Sequence, residues 1–218
     1  MKLACLISIL MLAVSSRGLG QGIVHLDFEG ANLTSFGVGP ANVAAANGIP
    51  GWTGYINGVP IPQIIYNSMN LDEPAVSVQG ISSPIIPAIQ GNYSVYLQGG
   101  TQYAYGTNCA IGQTGLVPQD ALSLIFWGYV TPDGVSFAGQ ALNLVTISST
   151  PNYNIYGADI SAFSGQVGQL IFTARKQTGA IIDNLQFSST AVPEPGTVAF
   201  IVTGGWLLGC RRKLFITR

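Results

Sequence analysis

Charge is what this sequence most lacks. Only 8% of its 218 residues are Asp, Glu, Lys or Arg, against about a quarter in ordinary globular proteins. What charge there is falls unevenly. Between Gly22 and Thr190 stand Asp27, Glu29, Asp72, Glu73, Asp120, Asp133, Asp159 and Asp183, with only Arg175 and Lys176 to oppose them. That stretch therefore carries a net charge of −6. Binding nucleic acid requires a basic surface to neutralise phosphates, so this class of partner is excluded. Histidine is nearly absent: His25 stands alone. Cysteine is scarce as well, with Cys5, Cys109 and Cys210 the complete set. The first and last lie in terminal segments of different character, so Cys109 has no partner within the central region. A fold without a disulfide must rest on its apolar core, and about 170 residues can supply one. Cys109 itself reads as a small buried apolar residue.

The two ends are the most apolar stretches. Met1-Lys2 is followed by an apolar run, Leu3 to Val14, and then Ser15-Ser16-Arg17-Gly18-Leu19-Gly20. One positive charge, about a dozen apolar residues and a small-residue stretch make a secretory signal peptide over residues 1–20. Cleavage is expected before Gln21, with cleavage after Ser15 the alternative. At the other end, Val192-Pro193-Glu194-Pro195-Gly196 precedes an apolar span, Thr197 to Cys210, and a basic cluster, Arg211-Arg212-Lys213. Two prolines around a glutamate keep the chain extended and accessible. Fourteen residues make about 21 Å of helix at about 1.5 Å per residue, short against a hydrocarbon core of about 30 Å. The basic cluster would hold the end in the cytoplasm.

This three-part arrangement, Val192 to Pro195, then residues 197–210, then Arg211, Arg212 and Lys213, resembles a PEP-CTERM sorting tail covering residues 191–218. The resemblance implies an exosortase as processing partner and cleavage near Pro193-Glu194-Pro195. It implies transient anchoring in the inner membrane and delivery to the cell surface or an extracellular polysaccharide matrix.

Residues 21–190 read as one domain. Strand patterns dominate: Ile23 to Phe28, Ile61 to Tyr66, Ala75 to Val78, Tyr93 to Gln98, Ala121 to Val130, Val135 to Phe137, Ala141 to Ser148, Tyr153 to Ile160, Gly168 to Ala174 and Ala180 to Phe187. Ala138-Gly139-Gln140 predicts a hairpin between its flanking strands, and Pro40 to Asn47 at most one helical turn. Many short strands with no strand–helix alternation predict an all-β fold, an antiparallel β-sandwich of jelly-roll type. The opening Asp27-Phe28-Glu29-Gly30, Trp52 after a long loop, and the closing Ile182 to Phe187 resemble galactose-binding-like and carbohydrate-binding-module sandwiches. In that group the first and last strands often share a structural calcium, which here would use Glu29 and Asp183 with Asp27.

Three further readings concern chemistry. His25 and Asp27 fall on one face of the expected first strand, but no nucleophile accompanies them, so they read as structural. A glycosidase needs two carboxylates facing one cleft, and no spacing here points to such a pair. Sugar binding instead asks for exposed aromatic rings. Trp52 and Tyr55 lie in a Gly- and Pro-rich loop, and Tyr103 and Tyr105 in another, which makes these four the expected carbohydrate platform. Trp127 and Tyr129 read as core. The expected function is a non-catalytic surface or matrix protein that binds extracellular polysaccharide, with a secreted hydrolase as the alternative.

Overall fold

The computed structural model describes residues 21–70, 72–101, 108–130 and 134–192. The expected signal peptide, residues 193–218 of the tail, and Tyr103 and Tyr105 lie outside them. Among the described residues no helix is long and apolar enough to cross a membrane.

The chain is all-β, with two sheets packed face to face. Strands are numbered in chain order. The eight-stranded sheet runs β1 (Ala41–Ala44), β4 (Gln63–Tyr66), β5 (Ala75–Gly80), β6 (Tyr93–Gln98), β14 (Gly179–Ser188), β8 (Ser123–Tyr129), β12 (Asn154–Asp159), β11 (Leu144–Ser149). The six-stranded sheet runs β10 (Gln140–Ala141), β9 (Val135–Phe137), β13 (Val167–Ala174), β7 (Cys109–Leu116), β2 (Thr53–Ile56), β3 (Val59–Ile61). Alternation along each strand decides which side chains meet between the sheets. From the larger sheet, Val95, Leu97, Leu124, Phe126, Ala158 and Ile182 are buried there; from the smaller, Cys109, Ile111, Leu170, Phe172 and Ala174. Phe126 meets Phe172 edge-on across the gap, ring centroids 5.1 Å apart.

Several expected elements change. Ile23 to Phe28 is not a strand. Gly22 makes a single parallel bridge to Leu116, and His25 and Phe28 take left-handed backbone at φ 52° and 58°. The chain turns there, with the Asp27 side chain accepting from the Glu29 amide at 3.2 Å, so His25 and Asp27 share no strand face. The segment still lies beside the last strand, because the Leu185 amide donates to the Leu26 carbonyl at 2.9 Å. Not every pairing is antiparallel: β4 and β5 run parallel. Residues 140–148 divide, β10 closing a hairpin with β9 and β11 joining β12 in the other sheet. Pro40 to Asn47 becomes β1 followed by one helical turn, α1 (Ala45–Gly48). Finally, β2 is a strand where a Gly- and Pro-rich loop was expected, and β7 is a strand where no element was expected.

Candidate functional site

The outer face of the eight-stranded sheet is where side chains converge. β14 lies between β6 and β8, and Ile181 is in register with both Tyr96 and Tyr129. Register partners point to the same face, so these three form a row across three strands. Tyr153 stands just before β12, and its ring lies parallel on Trp127 of β8, centroids 5.4 Å apart and planes 13° apart. The turn ahead of it is fixed by Thr150, whose hydroxyl oxygen accepts from the Tyr153 amide at 3.0 Å and donates to the Tyr153 carbonyl at 2.7 Å. Opposite, Ile86 to Ile89 rise as a second wall. The result is a cleft of about 570 Å³ with Tyr96, Ile181, Tyr129 and Tyr153 on its floor and side. Tyr129 is 40% exposed.

The Ile86–Ile89 wall is held by two carboxylates. Asp183 Oδ2 accepts from the Gln90 amide at 2.9 Å and from the Ser94 hydroxyl at 2.7 Å; Oδ1 accepts from the Asn184 amide at 2.7 Å. The Ser94 oxygen in turn accepts from the Ile89 amide at 2.8 Å. Glu29 Oε1 accepts from the amides of Asn92 and Tyr93 at 2.7 and 3.0 Å, and Oε2 from the Asn92 side chain at 2.8 Å. Asp183 is 1% exposed and sits where β14 slips register against β8, followed by Asn184 at φ 46°. Such a bulge re-aims a side chain. Burial pushes the Asp183 carboxyl up to about 6, the hydrogen bonds from Ser94, Gln90 and Asn184 pull it back, and the Glu29 charge adds to the rise.

Asp27, Glu29 and Asp183 do line one small cleft of about 130 Å³, with Gln90, Gly91 and Asn184. As they stand, these oxygens do not fit a calcium ion. Calcium takes six to eight oxygens, whereas Glu29 and Asp183 face N–H and O–H donors. Among the described residues no three His, Cys, Asp or Glu side chains are grouped to hold a metal ion.

The expected aromatic platform separates. Trp52 is core: it is 4% exposed, its ring lies between Phe28 and Phe172 at 5.7 and 6.3 Å, and its indole N–H donates to the His25 carbonyl at 3.2 Å. It comes just before β2, so alternation sends Tyr55 to the opposite, outer face of the six-stranded sheet. Conversely Trp127 and Tyr129, expected in the core, point outward, because Leu124 and Phe126 take the inner face of β8. Tyr96 had a visible signal, lying on the polar Ser94–Gln98 face of an alternating strand. Tyr153 had none. Cys109 is buried and free, and burial pushes its thiol up to about 12, so it is no nucleophile.

No family model matches the chain, and no curated protein does. Among solved structures, the enzymatically active domain of tailspike protein 4 of bacteriophage CBA120 aligns with 63% of this chain at 14% identity and a TM-score of 0.37. The alignment spans 19% of that chain's length. So distant a likeness says nothing of this chain's activity.

Proposed function

We propose that this chain is an exported bacterial protein of the cell surface or extracellular matrix, sorted by an exosortase through its PEP-CTERM-type tail, and that its jelly-roll-type sandwich binds extracellular polysaccharide without cutting it. The observation that carries the binding reading is the tyrosine-lined cleft on the outer face of the eight-stranded sheet. Flat rings stack on the apolar faces of pyranoses while phenol hydroxyls reach the sugar's own hydroxyls. No residue lining the cleft is a carboxylate, a lysine, an arginine or a histidine, so the paired carboxylates of a glycosidase are not in its lining. Glu29 and Asp183, carboxylates that share one small cleft, are both engaged in holding the Gln90–Ser94 segment.

The test is retention of the full-length chain on the producing bacterium's own matrix polysaccharide. Stacking contacts contribute on the order of 1 kcal/mol each, so Tyr129→Ala combined with Tyr153→Ala should weaken retention about tenfold or more. Unchanged retention in that variant overturns the cleft as the site. Release of reducing ends by the wild type overturns the non-catalytic reading.

A further inference from the structure

Tyr55 marks a second cleft, of about 430 Å³, on the outer face of the six-stranded sheet. Its floor is β7, where Ala110 and Gly112 present almost no side chain. Tyr55 of β2 stands in register with Ala110 on one side, and Thr173 of β13 with Ala110 on the other. The surface therefore dips into a trough between β2 and β13. A glycine within a strand often marks a close approach from above, and here the approaching group is visible. A Cβ built on Gly112 would stand 3.2 Å from the Gln169 amide nitrogen. That amide crosses the trough and donates to the Tyr55 hydroxyl at 3.0 Å. The hydroxyl accepts this bond and keeps its own proton to donate. Asn57 and Asn108 line the same cleft. One aromatic ring, three amides and a threonine hydroxyl, with no carboxylate, lysine, arginine or histidine in the lining, suit sugar hydroxyls and C–H faces.

We infer that the Tyr55 cleft is a second binding site for neutral polysaccharide, and that the two clefts, on opposite outer faces of the sandwich, let one molecule bridge two glycan strands. The inference rests on the reading of the first cleft as a polysaccharide site. The neutrality follows from charge: residues 22–190 carry eight acids and two bases, a field that repels polyanions. The bridging follows from placement. Each sheet presents its cleft away from the other sheet, so the two sites cannot lie along one short stretch of a stiff chain. A second, separate strand must fill the second site.

Calorimetric titration decides it, using the full-length chain in a non-ionic detergent without sugar headgroups. The probe is neutral hexasaccharides made from the bacterium's matrix polysaccharide by partial acid hydrolysis. The wild type should take up two per chain. Tyr55→Ala should remove one site and leave the other unchanged; Tyr129→Ala with Tyr153→Ala should do the converse. Gln169→Ala, which keeps the ring, should weaken the second site about tenfold and serves where Tyr55→Ala disturbs the fold by near-ultraviolet circular dichroism. Only the wild type should precipitate the intact polysaccharide. A single site insensitive to Tyr55→Ala and Gln169→Ala overturns this inference and leaves the first cleft standing. A single site lost with Tyr55→Ala but indifferent to Tyr129 and Tyr153 overturns the first cleft and the bridging together. No uptake overturns both.

Discussion

Replacing Asp183 by Asn should change how stability depends on pH in a direction the structure dictates. The wild-type carboxyl is pushed from an ordinary value of 3.8 to about 6 by burial. The native state therefore holds this proton more tightly than the unfolded chain does. An acid raised in this way contributes stability that is fully present below its unfolded pKa and is lost as pH rises through its folded pKa. The window is thus from near 3.8 to about 6. Two pKa units correspond to about 3 kcal/mol, an upper figure for a site that relaxes when it ionises. Asp183→Asn removes the titration but leaves a packed amide. It also leaves one of the three donors without an acceptor, at a pH-independent cost of about 1–3 kcal/mol. Other carboxyls move with pH too, among them Asp159, whose bonds from Ser161 hold it low, but they are common to both proteins. The difference between wild type and Asp183→Asn isolates the one group. Urea unfolding followed by tryptophan fluorescence at pH 4, 5, 6 and 7 should show the wild-type advantage shrinking by about 2–3 kcal/mol as pH rises. A difference that is flat with pH, or that grows, would refute the reasoning.

Three further outcomes are expected. Trp52→Ala should cost about 3–5 kcal/mol of stability as an emptied core site, read by the urea midpoint, with glycan affinity per folded molecule unchanged. Because the oxygens of Glu29 and Asp183 face protein donors, adding a chelator should leave the melting temperature where it was; a fall restored by calcium would show that these carboxylates turn to a cation. If the Pro193-Glu194-Pro195 tail is processed as its resemblance implies, mass spectrometry of the surface-released form should find no peptide beyond about Gly196, and an intact Arg211-Arg212-Lys213 end would reject that route.

How much could be read ahead of the structure depended on whether periodicity or register held the information. β6 is legible to the residue, because Tyr93, Val95 and Leu97 alternate with Ser94 and Gln98. β13 and β14 shift by one residue at most for the same reason. β7 was invisible: Gly115 interrupts its inward row of Cys109 and Ile111 and Gly112 its outward one, and glycines weaken a strand pattern. The opening segment failed in the other direction. Its alternation is real, but left-handed backbone at His25 and Phe28 turns a would-be strand into a tight loop, and no periodicity reports φ. The aromatics failed for a third reason. Trp127 and Tyr129 sit in a strand apolar on both faces, and only its neighbours decide which face is covered. Tyr96 and Tyr129 come together because both register with Ile181, a fact of pairing between segments more than thirty residues apart.

Asp183 is the residue that local rules would have replaced. A buried carboxylate costs stability unless every lone pair is used, and a hydroxyl or an alanine at a strand bulge would be cheaper. What a carboxylate alone can do here is gather three donors at once, from the segment before β6, from β6 itself and from its own bulge. Two of those donors, Gln90 directly and Ser94 through the Ile89 amide, tie down the end of the Ile86–Ile89 wall. Departures from locally optimal chemistry concentrate where a site must be held in one shape. On that ground the wall, not only the rings, belongs to the proposed binding site. Asp183→Asn should then weaken glycan uptake at the first cleft even at pH 7 in fully folded protein. It should leave the Tyr55 cleft, whose residues it does not touch, unaffected. Titration that finds both clefts weakened alike would mean Asp183 supports only the fold.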